Sequence, residues 1–255
     1  MHEEKVRQLK KRMLQVCFKN QQGYLPSSFS ILDILVLLYY EVMQCDVQKM
    51  YIDEFILSKG HAALALYAIL EDKNILKKNE LEKWGKYNSQ LCLMAERKIP
   101  GILFSTGSLG HGLPEAVGLA YAKKIHKEKG RVFVLIGDGE LEEGSNWEAF
   151  LAAIKMKLDN LVCIIDHNRS SGSSILEKWE KFQRFKMLEC YVEKVNGHDE
   201  CLLRKVLNKN KDRIVVIIAD TVKGKGCSAM ELNPALWHSK APNEQEYLFM
   251  LEEVQ

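Results

Sequence analysis

The sequence predicts an α/β fold, a mostly parallel sheet flanked by helices, carried by one domain over residues 1–255. Three continuous apolar runs predict the sheet: Arg131 to Ile136, Leu161 to Ile165 and Ile214 to Ala219. Runs this short and uninterrupted suit strands buried on both faces, and the helix-compatible segments between them suit parallel crossovers. Polar residues follow each run at once, as Gly137-Asp138-Gly139, Asp166-His167-Asn168 and Asp220-Thr221. Parallel sheets bind ligands in the crevice beyond such carboxyl ends.

From the N-terminus, Val6, Leu9, Met13, Val16 and Cys17 recur at helical spacing between Glu3 and Phe18. Gly23-Tyr24-Leu25-Pro26 interrupts that pattern, and a second buried helix is expected from Ser30 to Tyr40. Phe55-Ile56-Leu57 leads into Ser58-Lys59-Gly60-His61, after which the Ala-rich stretch Ala62 to Leu70 predicts a closely packed helix. The charged stretch Glu71 to Lys98 predicts a peripheral helix around Leu81 to Tyr87. Ser105-Thr106-Gly107-Ser108-Leu109-Gly110-His111-Gly112 is a turn rich enough in glycine for backbone to approach a ligand closely. Helices are then expected from about Pro114 to Lys127 and from about Gly144 to Lys157.

Charge and composition narrow the functional classes. Thirty-six Lys and Arg stand against thirty-four Asp and Glu, a net charge of +2, with no basic stripe or aromatic platform for nucleic acid. No apolar run approaches the roughly 20 residues of a membrane span, and the charged N-terminus lacks a signal-peptide core, so a cytoplasmic location is expected. The seven cysteines are scattered singly without a CxxC pair, which predicts reduced thiols rather than a zinc knuckle or disulfide framework.

The chemistry-bearing residues gather at the predicted strand ends. Asp138 and Asn168 would offer a carboxylate and an amide oxygen, a hard donor pair for Mg2+ or Ca2+ that backbone carbonyl, phosphate and water complete. Such an ion bridges protein oxygen to diphosphate oxygen and offsets their repulsion. His61, Lys223 and His238 suit the same anion, as proton donors or positive charge. Each has a plainer reading: Gly-Asp-Gly is also an ordinary turn, His61 a helix cap, Lys223 a solvated charge and His238 a packed loop residue. Glu140, Glu142, Glu143 and Glu148 also suit the positive end of a helix without any further role.

Taken together, the motifs resemble the N-terminal, diphosphate-binding domain of the transketolase family. They are Ser58-Lys59-Gly60-His61-Ala62, Ser105 to Gly112, Gly137-Asp138-Gly139-Glu140-Leu141-Glu142-Glu143-Gly144, Asp166-His167-Asn168-Arg169, Thr221-Val222-Lys223-Gly224-Lys225-Gly226 and Trp237-His238-Ser239-Lys240-Ala241-Pro242-Asn243. They occur in the family's order and cover most of the chain. The resemblance implies a thiamine-diphosphate-binding fold in which Asp138, Asn168 and the Ser170 carbonyl hold Mg2+, with Ca2+ a possible substitute. It implies that Gly139, His61, Lys223 and His238 surround thiamine diphosphate and that Gly107 and Leu109 approach its thiazolium. Catalytic roles fall to His61 and His238, which polarise substrate oxygens and shuttle protons, and to Glu143, which with Glu148 connects paired active sites. The family moves a two-carbon ketol unit from a ketose, usually phosphorylated, to an aldose, and the cofactor supplies the carbanion chemistry.

Two departures shape the expectation. The chain stops where full-length members continue into a pyrimidine-binding domain, so a separate polypeptide is expected to supply that half, in an assembly with two copies of each chain. The family's Gly-His-Pro or Gly-His-Ile becomes Gly23-Tyr24-Leu25-Pro26, a histidine before Pro100-Gly101 is missing, and Leu103 replaces an acidic residue. Lost polar groups change which sugar hydroxyls find partners. The expected function is therefore that of one half of a split transketolase. The alternatives are another thiamine-diphosphate carboligase or lyase acting on an atypical ketose or ketoacid, and a noncatalytic paralogue.

Overall fold

Strand residues alternate between the two faces of a sheet, and this chain is apolar on both. The computed structural model describes residues 2–48, 50–170, 182, 184–209 and 211–254. Five strands form one sheet in the order β1-β2-β3-β5-β4: β1 (Glu54–Leu57), β2 (Val132–Gly137), β3 (Leu161–His167), β4 (Tyr191–Asn196) and β5 (Val215–Asp220). All four pairings are parallel. Phe133, Leu135, Val162, Ile164, Val215 and Ile217 join the core beneath α1 (Glu3–Asn20), α2 (Leu25–Leu37) and α3 (Ala63–Asp72). Val132, Val134, Ile136, Cys163, Ile165, Val216 and Ile218 join a second core under α4 (Gly112–Ile125) and α5 (Gly144–Lys155). Among the described residues the remaining helices are α6 (Glu200–Leu207), α7 (Ser228–Leu232) and α8 (Glu244–Glu253).

The three apolar runs become β2, β3 and β5, but the sheet has two further strands. β4 escapes a hydrophobicity reading because it is an edge strand in which only Val195 is buried. β1 has just four residues. The second helix begins at Leu25, earlier than Ser30, because Pro26 falls in its first turn, where a missing N–H costs nothing. Its last residues widen into a π-helical turn, Leu38–Val42. Leu25–Val42 is thus 18 residues with mean hydropathy 1.4, long and apolar enough to cross a membrane, yet 83% of it is buried within the fold. The expected helix around Leu81 to Tyr87 is one 3-10 turn, Glu80–Lys83, followed by Gly85 at φ 69°. A left-handed residue at that point ends helical geometry.

Candidate functional site

Four of the five strands deliver polar residues to the same carboxyl edge. β1 leads to Lys59 and His61, β2 to Asp138, β3 to Asn168 and β5 to Thr221 and Lys223. The Ser105–Gly112 turn lies against the end of β1, where the Thr106 hydroxyl donates to the Leu57 carbonyl at 2.6 Å. A Cβ on Gly60 would stand 2.7 Å from the Thr106 carbonyl oxygen and 2.8 Å from the Gly107 nitrogen, so only glycine lets the two loops meet. Gly107 itself has φ 131°, a conformation closed to most side chains. Together they bring the His61 turn beside Gly107, while Leu109 stays 42% exposed.

Asp138 and Asn168 both act on the turn 168–170. The Asp138 Oδ2 accepts the Arg169 N–H at 2.9 Å, and the Asn168 Oδ1 accepts the Ser170 N–H at 3.1 Å. The Asn168 amide is oriented from behind, because its Nδ2 donates to Asp166 Oδ2 at 2.7 Å. Burial, reinforced by the Asp166 charge, pushes the Asp138 carboxyl above the usual carboxylate range. A buried acid short of positive charge, beside an oriented amide oxygen and the Ser170 backbone, fits a hard divalent cation. Gly139 follows in the 3-10 turn Asp138–Glu142.

Lysine and histidine continue from that turn. The Lys223 ammonium donates to Ser170 Oγ at 2.9 Å and to His238 Nδ1 at 3.2 Å, which leaves the His238 proton on Nε2. Burial and the neighbouring Lys59 lower Lys223 to about 8. Burial, then Lys59, His238 and Lys223, lower His61 to about 3, and burial with Lys223 also lowers His238. Both imidazoles are therefore neutral near pH 7, His238 with its Nε2–H to donate, held among cations that attract an anion. Tyr24 stands against both, its ring centroid 5.9 Å from His61 and 5.3 Å from His238. Its φ is 68° and its N–H donates to the His238 carbonyl at 3.0 Å. A tyrosine in the left-handed region is uncommon, and here the conformation sets its ring against both imidazoles.

Two supporting acids escaped the sequence reading. Asp166, fully buried, pairs with Lys59 and accepts hydrogen bonds from Ser30 at 2.9 Å, Asn168 and Thr221. Burial alone would raise its carboxyl, but Lys59 and the hydroxyl donors hold it below the usual range. The clue lay in the sequence, since Lys59 precedes His61 by two residues and Asp166 precedes Asn168 by two residues. Glu140, 1% exposed, accepts from Ser58 at 2.6 Å, Gly137 N–H at 2.8 Å and Gly110 N–H at 3.2 Å. It ties the ends of β1 and β2 to the glycine turn rather than forming a solvated acidic face. Glu140→Ala leaves these donors unmatched in the core and is expected to cost about 2–4 kcal/mol in urea unfolding.

Glu143 precedes α5 and packs beneath Gly110, where an added Cβ would lie 2.7 Å from the Glu143 Cβ. Glu148 is exposed on α5. Leu103 is partly buried against the second core. Among the described residues, one group of His, Asp, Glu or Cys brings ligand atoms within 4.8 Å of one another: His2, Glu41 and Glu200. It lies away from Asp138, and Arg204 already pairs with both of its carboxylates.

A parallel sheet flanked by helices, with a buried acid, an oriented amide and neutral histidines gathered at its carboxyl edge, is the architecture of an α/β cofactor-binding domain. Residues 2–246 match the profile of the transketolase, thiamine diphosphate binding domain, and the chain belongs to the transketolase family. One of the subunits of the apulose-4-phosphate transketolase of Phocaeicola vulgatus is 35% identical over 96% of this chain and 90% of its own length. Human transketolase is 37% identical over 86% of this chain, a match that takes in 36% of the human protein. In structure, the transketolase of Campylobacter jejuni superposes with a TM-score of 0.84 at 27% identity, over 99% of this chain and 42% of that one. That of Leishmania mexicana superposes with a TM-score of 0.86 at 24% identity over 41% of its chain, which speaks for the fold alone.

Proposed function

We propose that the chain is the diphosphate-binding, N-terminal subunit of a split thiamine-diphosphate-dependent transketolase. It moves a two-carbon ketol unit from a phosphorylated ketose to an aldose together with a separate C-terminal subunit. The observation that carries this reading is the shared turn at 168–170, where Asp138, Asn168 and Lys223 meet beside His238. Coverage supports the split: the chain aligns with nearly the whole of relatives named as single subunits of an apulose-4-phosphate transketolase, but with about a third of human transketolase. Apulose-4-phosphate, which those names carry, is the donor to test first.

In this reading Asp138, Asn168 and the Ser170 carbonyl hold Mg2+, which neutralises the diphosphate. Lys223, His238, His61 and the Gly139 backbone bind the phosphate end, and Gly107 and Leu109 border the thiazolium. Bound thiamine diphosphate supplies the carbanion equivalent that protein side chains lack. The chain's own work is to orient that group and to polarise substrate oxygens through His61 and His238, neutral imidazoles of which His238 offers its Nε2–H. Glu143 and Glu148 face a second copy, in an assembly of two copies of each chain. Seven free thiols agree with a cytoplasmic setting.

The test is reconstitution. The chain is expected to bind thiamine diphosphate only with Mg2+ or Ca2+, followed by calorimetry, and to turn over ketose phosphate only when the C-terminal subunit is added. Mass spectrometry of the products should show glycolaldehyde-unit transfer. Products of another carbon count would favour a different carboligase, a reading Tyr24 keeps open by taking a histidine's place beside His61. Absence of cofactor binding under every metal would remove the proposal.

A further inference from the structure

A second concavity opens on the β4 side of the same sheet edge, away from the Asp138 turn. It measures about 530 Å3 and lies between the start of α1, Asp33 and Leu37 of α2, His198 before α6, the Lys225-Gly226 turn and the end of α8. Lys10 projects into it from α1. That side chain is only 9% exposed, and among the described residues its ammonium makes no hydrogen bond or ion pair. Its nearest aromatic neighbour is the Phe29 ring, 5.5 Å from the nitrogen. A Cβ on Gly226 would sit 2.8 Å from the Lys10 nitrogen, so the absent side chain is what leaves space beside the charge.

Most of the acids around Lys10 are engaged elsewhere. His198 accepts the Val222 N–H on Nε2 at 2.9 Å and therefore donates from Nδ1 to Asp33, at 2.6 Å. Glu200 is held by His2 and Arg204. Glu253 accepts the Ser228 N–H at 2.9 Å. Glu3 is exposed at the mouth. Lys10 and the half-buried Lys225 are left as cations without hydrogen-bonded partners among the described residues. Burying an ammonium that nothing pairs is costly, and the cost falls away when an anion enters. Burial and the Lys225 charge depress Lys10, with Asp33 opposing, as expected for a cation waiting on a counter-charge.

We propose that this cavity binds a small phosphate monoester or inorganic phosphate, with Lys10 as its buried counter-charge and Lys225 as the second cation. Two cations match a phosphate dianion, and the volume exceeds what a bare phosphate fills, leaving room for a sugar-sized body. The site is separate from the cofactor site and does not rest on the proposed transketolase activity. It adjoins it through one loop, since Lys225 follows Lys223 by two residues.

The experiment uses the full chain with Mg2+ and thiamine diphosphate saturating, or on a Lys223→Met background, so that the diphosphate site takes no phosphate. Inorganic phosphate, ribose 5-phosphate and ribose are titrated by calorimetry at fixed ionic strength. A saturable site for phosphate or the ester, not for ribose, is expected. Lys10→Met should weaken it at least tenfold, and Lys10→Arg should retain it. Inorganic phosphate alone binding identifies a phosphate site; tighter binding of the ester identifies a sugar-phosphate site. In phosphate-free buffer Lys10→Met should also melt higher than the parent, because an unpaired buried charge is gone. No saturation by millimolar ligand, equal binding by Lys10→Met, or a lower melting temperature for that variant would each overturn the site.

Discussion

Asp138→Ala is expected to abolish Mg2+-dependent thiamine diphosphate binding, by more than about 100-fold in affinity, while the protein remains folded. The two effects separate because the residue does two unequal things. Structurally it accepts one N–H, from Arg169, a bond whose loss costs about 1 kcal/mol. That loss is offset by relief of a carboxylate which burial and Asp166 disfavour. Electrostatically it is the one acid proposed as a ligand, and removing it leaves the divalent ion with only neutral oxygens from the protein to offset against the diphosphate. Asn168→Ala should weaken binding as well, since its oriented amide oxygen goes with it. Ser170→Ala should weaken it far less, because the proposed ligand there is the backbone carbonyl. Among the described residues the hydroxyl it deletes accepts only from Lys223, so a loss of a few-fold is expected. Calorimetry with Mg2+ and cofactor, beside circular dichroism of each variant, resolves the series. Equal affinity in Asp138→Ala and the parent would refute the metal assignment.

What could be read from the sequence divides along a physical line. β2, β3 and β5 were legible because central strands buried on both faces must be apolar throughout. β4 was not, because an edge strand with one buried residue carries no hydrophobic signal. The polar residues at the strand ends were legible as candidates, His61 and Asp138 among them, since their position follows from the strands. Their support was not. Glu140 looked like one of several helix-start acids, yet it is 1% exposed and joins three segments, a fact of tertiary packing that local pattern cannot contain. Tyr24 was visible as a departure from family pattern. Its left-handed backbone and its contact with both imidazoles came only with the fold.

Lys59→Met is expected to be the most destabilising single change near the site, at about 3–5 kcal/mol in urea unfolding. Lys59 and Asp166 are both almost wholly inaccessible, and the pair joins β1 to β3 beneath the 168–170 turn. Removing the ammonium strands a carboxylate in the core with only neutral donors, Ser30, Thr221 and Asn168, to satisfy it. The sign of the pH response follows. In the parent the Asp166 carboxyl is held below its ordinary value, so its contribution is present at neutral pH and is lost as pH falls through that depressed value. Without Lys59 the remaining large influence is burial, which raises the carboxyl, so the variant should gain relative stability on acidification from neutral pH, where the parent does not. The double change Lys59→Met with Asp166→Asn should recover part of the loss by removing the stranded charge. It keeps an amide oxygen for the Asn168 donor, whereas a leucine at 166 would leave that donor unmatched. A Lys59→Met protein as stable as the parent at neutral pH would mean that Asp166 takes up a proton there without cost, and that the pair does not hold β1 to β3.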